Sequence, residues 1–408
     1  MSLVLNTNLD SLVAQNSLSS SGTQLADALS QLSSGLRINS SADDAAGYAI
    51  AQGMTSQING LNQAAQNAND GVSLTQTATG ALAEVTTDLQ TMRDLAVESL
   101  NASNSSTDRA DLNAQFQQLV ADINSVASNT QFNGVNLLDG TFEGATFQIG
   151  ANAGQTITVS SVASAKAGNL GALYAATGTT PGTYDTTKVA NGDTATFQVA
   201  LTPAGGTTAT NYTTNAVTLT GNASTDLASI AAAINQAVAS QGVIATVNTA
   251  GTGIEISGNS SQAGATVAVS VSASTGTIAA DTAATTDLGL DASDAIGTTG
   301  ATYISASNVT TVDNSNQALV QIDAALQQLA QSTAQLGAYQ NRFTALISGL
   351  NTDATNLTSA KSAIVDTDYA QATSNLSKAQ ILQQASTAMV AQANTIPQNI
   401  LTLLQKLP

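Results

Sequence analysis

Two pairs of aspartates are the side chains of this sequence best suited to acid–base chemistry. Asp43 and Asp44 are adjacent, and Asp366 and Asp368 lie two positions apart. Paired carboxylates can act as general acid and base, or they can bind Ca²⁺. No Asp-rich, glycine-containing calcium loop surrounds either pair. We therefore interpret both pairs as N-caps that complement the dipoles of the helices that follow.

Other groups with catalytic potential are scarce. The sequence has no cysteine and no histidine, which excludes thiol nucleophiles, Cys/His zinc sites and histidine-based triads. Ser377 and Lys378 could form a nucleophilic dyad, but adjacent residues on a helix point apart. Asn69-Asp70-Gly71 could bind phosphate, although an ordinary turn or a helix irregularity explains it more simply. We expect no catalytic residue, no metal site and no cofactor.

The charge balance and the lack of long apolar stretches argue against nucleic acids and membranes as partners. Nine Lys and Arg residues against 27 Asp and Glu residues give a net charge of −18, which should repel a phosphate backbone. No apolar stretch approaches the ~20 residues that span a bilayer, and the N-terminus lacks a signal-peptide pattern. We expect neither nucleic-acid nor membrane binding, and any export must use a route without such a signal.

Both ends of the chain repeat apolar residues at steps of three and four, which places them on one face of a helix. Near the start the stripe is Leu18, Leu25, Leu29, Leu32 and Leu36, and near the end it is Tyr369, Leu376, Leu382, Ala385 and Met389. One helix cannot bury such a seam alone, so the two ends are each other's best candidate partners. The two apolar stripes bury too little surface to form a core in the monomer, so we expect the terminal helices to become ordered on assembly.

Breaks and turns divide the helical ends. The cluster from Ser105 to Asp108 predicts a helix start, and Pro397 should interrupt the last helix. Asn133-Gly134 and Asp139-Gly140 predict hairpin turns beside short strands at 135–138 and 146–149. Helix should therefore give way to a small β patch near residue 130.

The middle of the chain has a period of two, as Phe197, Val199 and Leu201 show. It holds 17 of the 31 glycines between residues 160 and 305, with turns predicted at Asn191-Gly192-Asp193 and Ala250-Gly251. One helix stands out, with Thr225-Asp226 as its predicted cap and an apolar face formed by Leu227, Ile230, Ile234 and Val238. Regular alternation favours a compact, mainly β domain over disorder.

These elements predict an α+β protein. Both chain ends should form a long, discontinuous helical-bundle rod with a terminal coiled coil, an inner helical domain carrying a β-hairpin patch, and an inserted, mainly β variable outer domain. The predicted domains are residues 1–43 with 366–408, residues 44–165 with 305–365, and residues 166–304.

Several sequence strings are more specific than periodicity. They are SSGLRINS (33–40), DDAAG (43–47), QNANDG (66–71), TQFNG (130–134), LGAYQNRF (336–343) and AQAN (391–394). Together, and in this order, they closely resemble bacterial flagellin over about residues 2–160 and 310–408. The resemblance implies a subunit that leaves the cell unfolded through the flagellar type III apparatus and polymerises into the extracellular filament. It also implies an export chaperone, a cap protein and hook-associated proteins as partners.

The resemblance assigns expected roles to particular residues. Polymerisation through the inner-tube helices is expected to use Leu5, Leu9, Leu12, Leu18, Leu25, Leu29, Leu32, Leu36, Leu376, Leu382, Met389, Ile400, Leu403 and Leu404. Polar contacts between subunits are expected from Arg37, Asp43, Asp44, Arg93 and Arg342, although each arginine could simply be solvated.

One segment is similar to the flagellin patch that the vertebrate Toll-like flagellin receptor reads. The patch residues are Leu89, Gln90, Thr91, Leu95 and Gln115, but Thr91 stands where recognised flagellins carry Arg and Gln115 where they carry Glu. Receptor binding is therefore doubtful, and burial in axial packing explains the same stripe.

Three other functions remain open at this point. A hook–filament junction protein would share the helical ends without forming long polymers. A secreted enzyme could place its active site in the middle domain, although no nucleophile, metal-ligand or paired-carboxylate pattern occurs there. An adhesin or binding module would use the same domain to hold a sugar or a protein.

Overall fold

The computed structural model describes residues 8–160, 162–176, 182–248, 250–275, 278, 288–290 and 294–404, without the side chains of 294 and 396–404. The helices in these ranges are α1 (Leu9–Ser34), α2 (Ala45–Ser99), α3 (Ser106–Asn129), α4 (Ala223–Val238), α5 (Val312–Val365) and α6 (Tyr369–Leu404). The remaining regular structure is mainly strand and lies between α3 and α5. The predicted α+β class is confirmed.

The strands form four antiparallel sheets. Their bounds are β1 (Gln131–Phe132), β2 (Val135–Asn136), β3 (Ala145–Gln148), β4 (Thr156–Val159), β5 (Leu173–Ala175), β6 (Thr194–Thr202), β7 (Thr210–Thr213), β8 (Val217–Thr218), β9 (Val243–Val247), β10 (Ile254–Asn259), β11 (Thr266–Thr275) and β12 (Asp294–Ala295). Strands β1 and β2 pair, as do β3 and β4. A three-stranded sheet has the order β5-β10-β9, and a five-stranded sheet has the order β12-β11-β6-β7 with β8 also on β6.

The chain divides into two compact units. The terminal unit contains the described residues up to Asn69, Gln148–Ile157 and the residues from Thr344 onward, and the central unit contains Asp70–Phe147 and Thr158–Phe343. This division does not follow the three predicted domains, whose boundaries stay a prediction. In particular, the strand-rich middle and the adjoining helices share the central unit.

Local capping explains where the helices begin and end. Gly35, with φ +71°, closes α1 in the left-handed conformation that glycine adopts without strain. Asp44 accepts the N–H groups of Ala46 and Gly47 at the start of α2. Ser105 and Asp108 form a capping box at α3, as predicted.

Two predicted interruptions of helices are wrong. Asn69-Asp70-Gly71 lies inside α2, where Gly71 lets the Phe343 ring approach so closely that a Cβ would sit 2.7 Å from it. Pro397 also lies within the continuous helix α6. Proline removes one main-chain hydrogen bond and its ring crowds the carbonyl four residues earlier, which can kink a helix without ending it.

The β patch near residue 130 is smaller than predicted. Asn133 (φ +48°) and Gly134 (φ +79°) form the turn between β1 and β2, as expected from their sequence. Asp139-Gly140 is not a hairpin turn, because β2 and β3 belong to different sheets. Instead Asp139 accepts hydrogen bonds from Thr141 and Asn136, which lowers the pKa of its carboxyl to about 2.

The middle strands and α4 enclose one core. Strand β6 alternates partly exposed and buried residues along its whole length, and Phe197 and Val199 are fully buried. The predicted face of α4 is confirmed, since Leu227, Ile230 and Ile234 join that core. Packing of the helix against the sheets closes a mainly β domain with its own hydrophobic interior.

The predicted cap of α4 is wrong. Asn222 caps the helix by accepting the N–H of Ser224, so α4 begins at Ala223. Asp226 is instead fully buried in the first turn of the helix. Its carboxylate accepts hydrogen bonds from the main-chain N–H and the hydroxyl of Thr220 and from the N–H of Gly221. The Tyr184 hydroxyl also donates to it. Spacing alone could not distinguish a cap from this buried anchor.

The middle domain is packed against α5 within the central unit. Leu173, Ile244 and Val320 form one buried apolar cluster. The Gln317 Nε2 donates to Thr246 Oγ1 at 3.2 Å beside it. This contact explains why the inserted strands and α5 belong to the same compact unit.

Asp226→Asn should destabilise the middle domain. An amide oxygen cannot replace both carboxylate oxygens, so buried donors on Thr220, Gly221 or Tyr184 would lose partners, at a cost of about 3 kcal/mol. Tyrosine near-ultraviolet dichroism during thermal unfolding would report this loss. Asp185→Asn is the matched control, because Asp185 is partly exposed and its carboxylate accepts hydrogen bonds from Thr187, outside the buried core. Equal melting of the two variants would contradict the anchoring role.

Candidate functional site in the terminal helices

Helices α1 and α6 pack side by side and antiparallel in the terminal unit. At one end Asn8 donates to the carbonyl of Ala393 at 2.9 Å. At the other end, Arg37 N–H donates to Val365 O at 2.7 Å, and Thr367 N–H donates to Gly35 O at 2.9 Å. The two ends of the chain are therefore partners, as the sequence predicted.

The seam between them follows a heptad spacing. The inward positions alternate in steps of three and four and are Ser11, Ala14, Leu18, Ser21, Leu25, Ala28 and Leu32 on α1, and Ala372, Leu376, Ala379, Gln383, Ser386, Val390 and Ala393 on α6. Every second position on each helix is alanine or serine. Small side chains let two helices approach closely, but they bury little apolar surface.

The set of α1 residues that face α6 differs from the leucine stripe expected from the sequence. Leu18, Leu25 and Leu32 lie in the seam, whereas Leu29 is 50% exposed. The deeply buried positions include Ser11, Ser21 and Ala28, which a search for large apolar residues does not find. A heptad count that admitted alanine and serine would have found them.

Six other large apolar residues lie outside the seam, on exposed faces of the two helices. Their exposed fractions are 61% for Leu9, 52% for Leu12, 63% for Val13, 66% for Ile381, 38% for Leu382 and 61% for Met389. Val13, Leu382 and Met389 line a groove of about 590 Å³ between α1 and α6. Exposed apolar surface of this extent is typical of sites of protein–protein interaction.

The structure places the other predicted assembly residues as follows. Leu36 and Leu376 are partly buried, and Leu36 packs against the small cluster of Ile38, Ala51 and Val365. Leu5 lies outside the described residues. Ile400, Leu403 and Leu404 belong to α6, but the structure does not describe their side chains. Val13 and Ile381 were not predicted, although both lie on the outward faces.

The loop between α1 and α2 is held by its own polar groups. Asp43 accepts the N–H groups of Asn39 and Ser40, and these bonds lower the pKa of its carboxyl. The Arg37 guanidinium donates to the carbonyl of Ile364. Asp44 at α2 and Asp368 at α6, which accepts the N–H of Ala370, are therefore helix N-caps as predicted, whereas Asp43 accepts within the loop. The prediction is wrong for Asp366, which follows the end of α5 and accepts a hydrogen bond from the Ser362 hydroxyl.

Two of the predicted polar residues lie on helices of the central unit. Arg93 has a carboxylate within its own chain, Asp323, at 2.8 Å, and this hydrogen bond raises the pKa of Arg93. Arg342 is exposed and makes no ion pair within the described part of the chain. Contacts of either arginine with another subunit stay a prediction.

The predicted receptor patch is split between core and surface. Leu89 is fully buried and Leu95 nearly so, whereas Gln90, Thr91 and Gln115 are exposed. Thus only the polar part of the patch is accessible in a single chain.

The described residues carry no other obvious functional centre. No three of their acidic side chains are grouped closely enough to hold a metal ion. None of the helices, over its described length, has an apolar stretch that would cross a bilayer. An α+β chain whose paired terminal helices turn their large apolar residues outward belongs to the class of self-associating structural proteins.

Comparisons with known proteins narrow this class. Residues 5–143 match the bacterial flagellin N-terminal helical region, and residues 319–404 match the C-terminal helical region. Polar flagellin F of Vibrio parahaemolyticus is 36% identical, with 99% of this chain and all of the relative covered. Flagellin of Salmonella rubislaw is 36% identical and flagellin B of Vibrio cholerae 35% identical, with the same coverage.

The chain belongs to the bacterial flagellin family, and its function is that of a flagellar filament subunit. The two family regions end at residue 143, just before β3, and resume at residue 319 within α5, whereas the relatives align over nearly the whole chain. The family regions therefore contain the helices that carry the seam and the outward apolar faces.

Introduced cysteines can test the register of the α1–α6 pair without background, because the chain has no cysteine of its own. Ser11 Oγ and Asn394 Oδ1 lie 2.8 Å apart. The Ser11→Cys/Asn394→Cys pair should therefore form an intramolecular disulfide under mild oxidation, detected by non-reducing electrophoresis and peptide mapping.

Leu12→Cys/Asn394→Cys is the control, because Leu12 points away from the seam. It should oxidise far more slowly. Equal rates for the two pairs, or a faster reaction of the Leu12 pair, would show that the register differs.

Proposed function

We propose that the chain polymerises by burying the outward faces of α1 and α6 against the same helices of neighbouring copies. The observation that carries this proposal is that alanine or serine fills every second position of the seam, while large apolar residues outside the seam are exposed. Burying a side chain such as Leu or Met stabilises by about 1.5–3 kcal/mol. Several such residues on each chain would give a repeated subunit contact a large favourable term.

The charge distribution supports the same surface. The described part of α1 contains only Asp10 and Asp27 as charged residues, and α6 contains only Lys378. Most of the net charge of −18 therefore lies elsewhere in the chain. Contacts through these two helices bring together few like charges, and salt at ~0.1 M screens the rest beyond about 10 Å.

We further propose that the subunit is exported unfolded through the flagellar type III apparatus and works outside the cell as a structural, not catalytic, protein. A chain without cysteine, and with no tryptophan, 7 tyrosines and 6 phenylalanines, suits passage through a narrow channel. An export chaperone, a cap protein and hook-associated proteins are its proposed partners by family membership.

The predicted polar contact residues and the predicted receptor patch have smaller roles in this proposal. Arg37, Asp43 and Arg342 are exposed and Asp44 is partly exposed, so these four could meet neighbouring subunits, while Arg93 would first have to leave Asp323. A Toll-like receptor would meet Gln90, Thr91 and Gln115 without the buried leucines. We propose that its recognition of this chain is weak.

Val13→Ser/Met389→Ser should raise the critical concentration for polymerisation at least about tenfold, because two apolar contacts between subunits are lost. The monomer should keep its fold, since both side chains are more than half exposed in it. Sedimentation and electron microscopy over a concentration series would measure the effect.

Asn16→Ser/Gln384→Ser is the matched control, since both residues are exposed and polar on the same two helices. It should polymerise like the parent. Polymerisation of Val13→Ser/Met389→Ser at the parent's critical concentration would refute the proposed surface.

A further inference from the structure

A cleft of about 670 Å³ lies in the central unit where the middle domain meets the ends of two long helices. Its walls come from α4, from the segment before β8, from Leu100 just after α2, and from Val312 and Asn316 at the start of α5. Its volume falls within the range of about 300–1,000 Å³ that is usual for small-molecule sites. The cleft involves none of the surfaces proposed above for assembly.

Amide groups are the main polar features of this cleft. The Asn215 Nδ2 donates to Gln236 Oε1 at 3.0 Å, which orients both side chains. This bond uses the Asn215 amino group and the Gln236 carbonyl oxygen, so the Asn215 carbonyl oxygen and the Gln236 amino group can face a ligand side by side. Asn316 adds an amide from α5, whereas the fourth lining amide, Asn235, is already bonded to the N–H and the carbonyl of Ala245. Together they provide both hydrogen-bond donors and acceptors.

The cleft is also uncharged, although the chain as a whole is strongly acidic. None of the residues that line it is Asp, Glu, Lys or Arg. A cation would find no carboxylate there, and an anion would find no positive group to offset the field of a chain with net charge −18. The lining therefore favours a neutral ligand that forms many hydrogen bonds.

Small apolar side chains complete the surface. Ala232 and Ala233 lie on α4, and Val312, which is 43% exposed, faces the cleft from α5. A pyranose ring has C–H faces that can lie on such a floor and hydroxyls around its edge, and an acetamido group can exchange hydrogen bonds with a side-chain amide.

We propose that this cleft binds a neutral saccharide, with Asn215, Gln236 and Asn316 as the hydrogen-bonding residues. No aromatic ring lies among its lining residues, so each site should bind weakly. If the chain forms the filament proposed above, repetition of the cleft on every subunit would strengthen attachment to a surface that carries many such sugars. Binding by the single chain does not depend on that polymer.

The experiment is saturation-transfer NMR on the full-length monomer, with N,N′-diacetylchitobiose as the neutral probe and N-acetylneuraminic acid as an anionic probe. The neutral sugar should show transfer, strongest at its acetamido and ring protons, and the anionic sugar should show little. Gln236→Ala/Asn316→Ala should weaken binding at least about tenfold, since two hydrogen bonds are lost.

Asn211→Ala is the control, because Asn211 is an exposed amide on β7 that does not line the cleft. It should bind like the parent, and circular dichroism should show that all variants keep their fold. The proposal is overturned if the neutral probe shows no transfer, if the double variant binds like the parent, or if the anionic probe binds as well. None of these results would affect the assembly proposal, which critical concentrations test separately.

Discussion

The packing of α1 against α6 is the interaction on which assembly depends. Its heptad seam contains alanine or serine at every second position, so the two helices pair closely while burying little apolar surface. The larger residues, such as Leu12 and Met389, lie on the opposite faces and remain exposed. One chain can therefore position these two helices, but it cannot bury them. Under the assembly proposal, additional copies supply the missing contacts, which would link folding of the ends to polymerisation.

The central unit meets a different constraint, because it has its own core. Residues such as Leu82, Leu89 and Phe116 are fully buried between the helices, and Phe197 and Val199 are fully buried in the middle domain. Asp226 holds the start of α4, and Leu173, Ile244 and Val320 attach the domain to α5. Stability in this unit comes from contacts within one chain, so the unit can hold the amide-lined cleft in a defined structure.

Much of this organisation was predictable from the sequence, because local signals act over a few residues. The capping box at Ser105 and Asp108, the Asn133-Gly134 turn and the alternation along β6 each depend on neighbours in the chain. The errors arose where distant contacts decide the outcome. Gly71 lies inside α2 where the Phe343 ring leaves no room for a side chain, and Asp226 is buried because Tyr184 and the residues before α4 surround it. The heptad phase of α1 was partly missed because its buried positions include Ser11 and Ser21.

Hydrogen exchange of the terminal helices before and after polymerisation tests the central claim most directly. Backbone amides of α1 and α6 should exchange rapidly in the monomer and become at least about 100-fold more protected in the polymer, because the missing apolar contacts are then supplied. Amides near Leu89 in α2 provide an internal reference and should be protected in both states, since that region is buried within one chain. Strong protection of α1 and α6 already in the monomer, unchanged on polymerisation, would contradict the account.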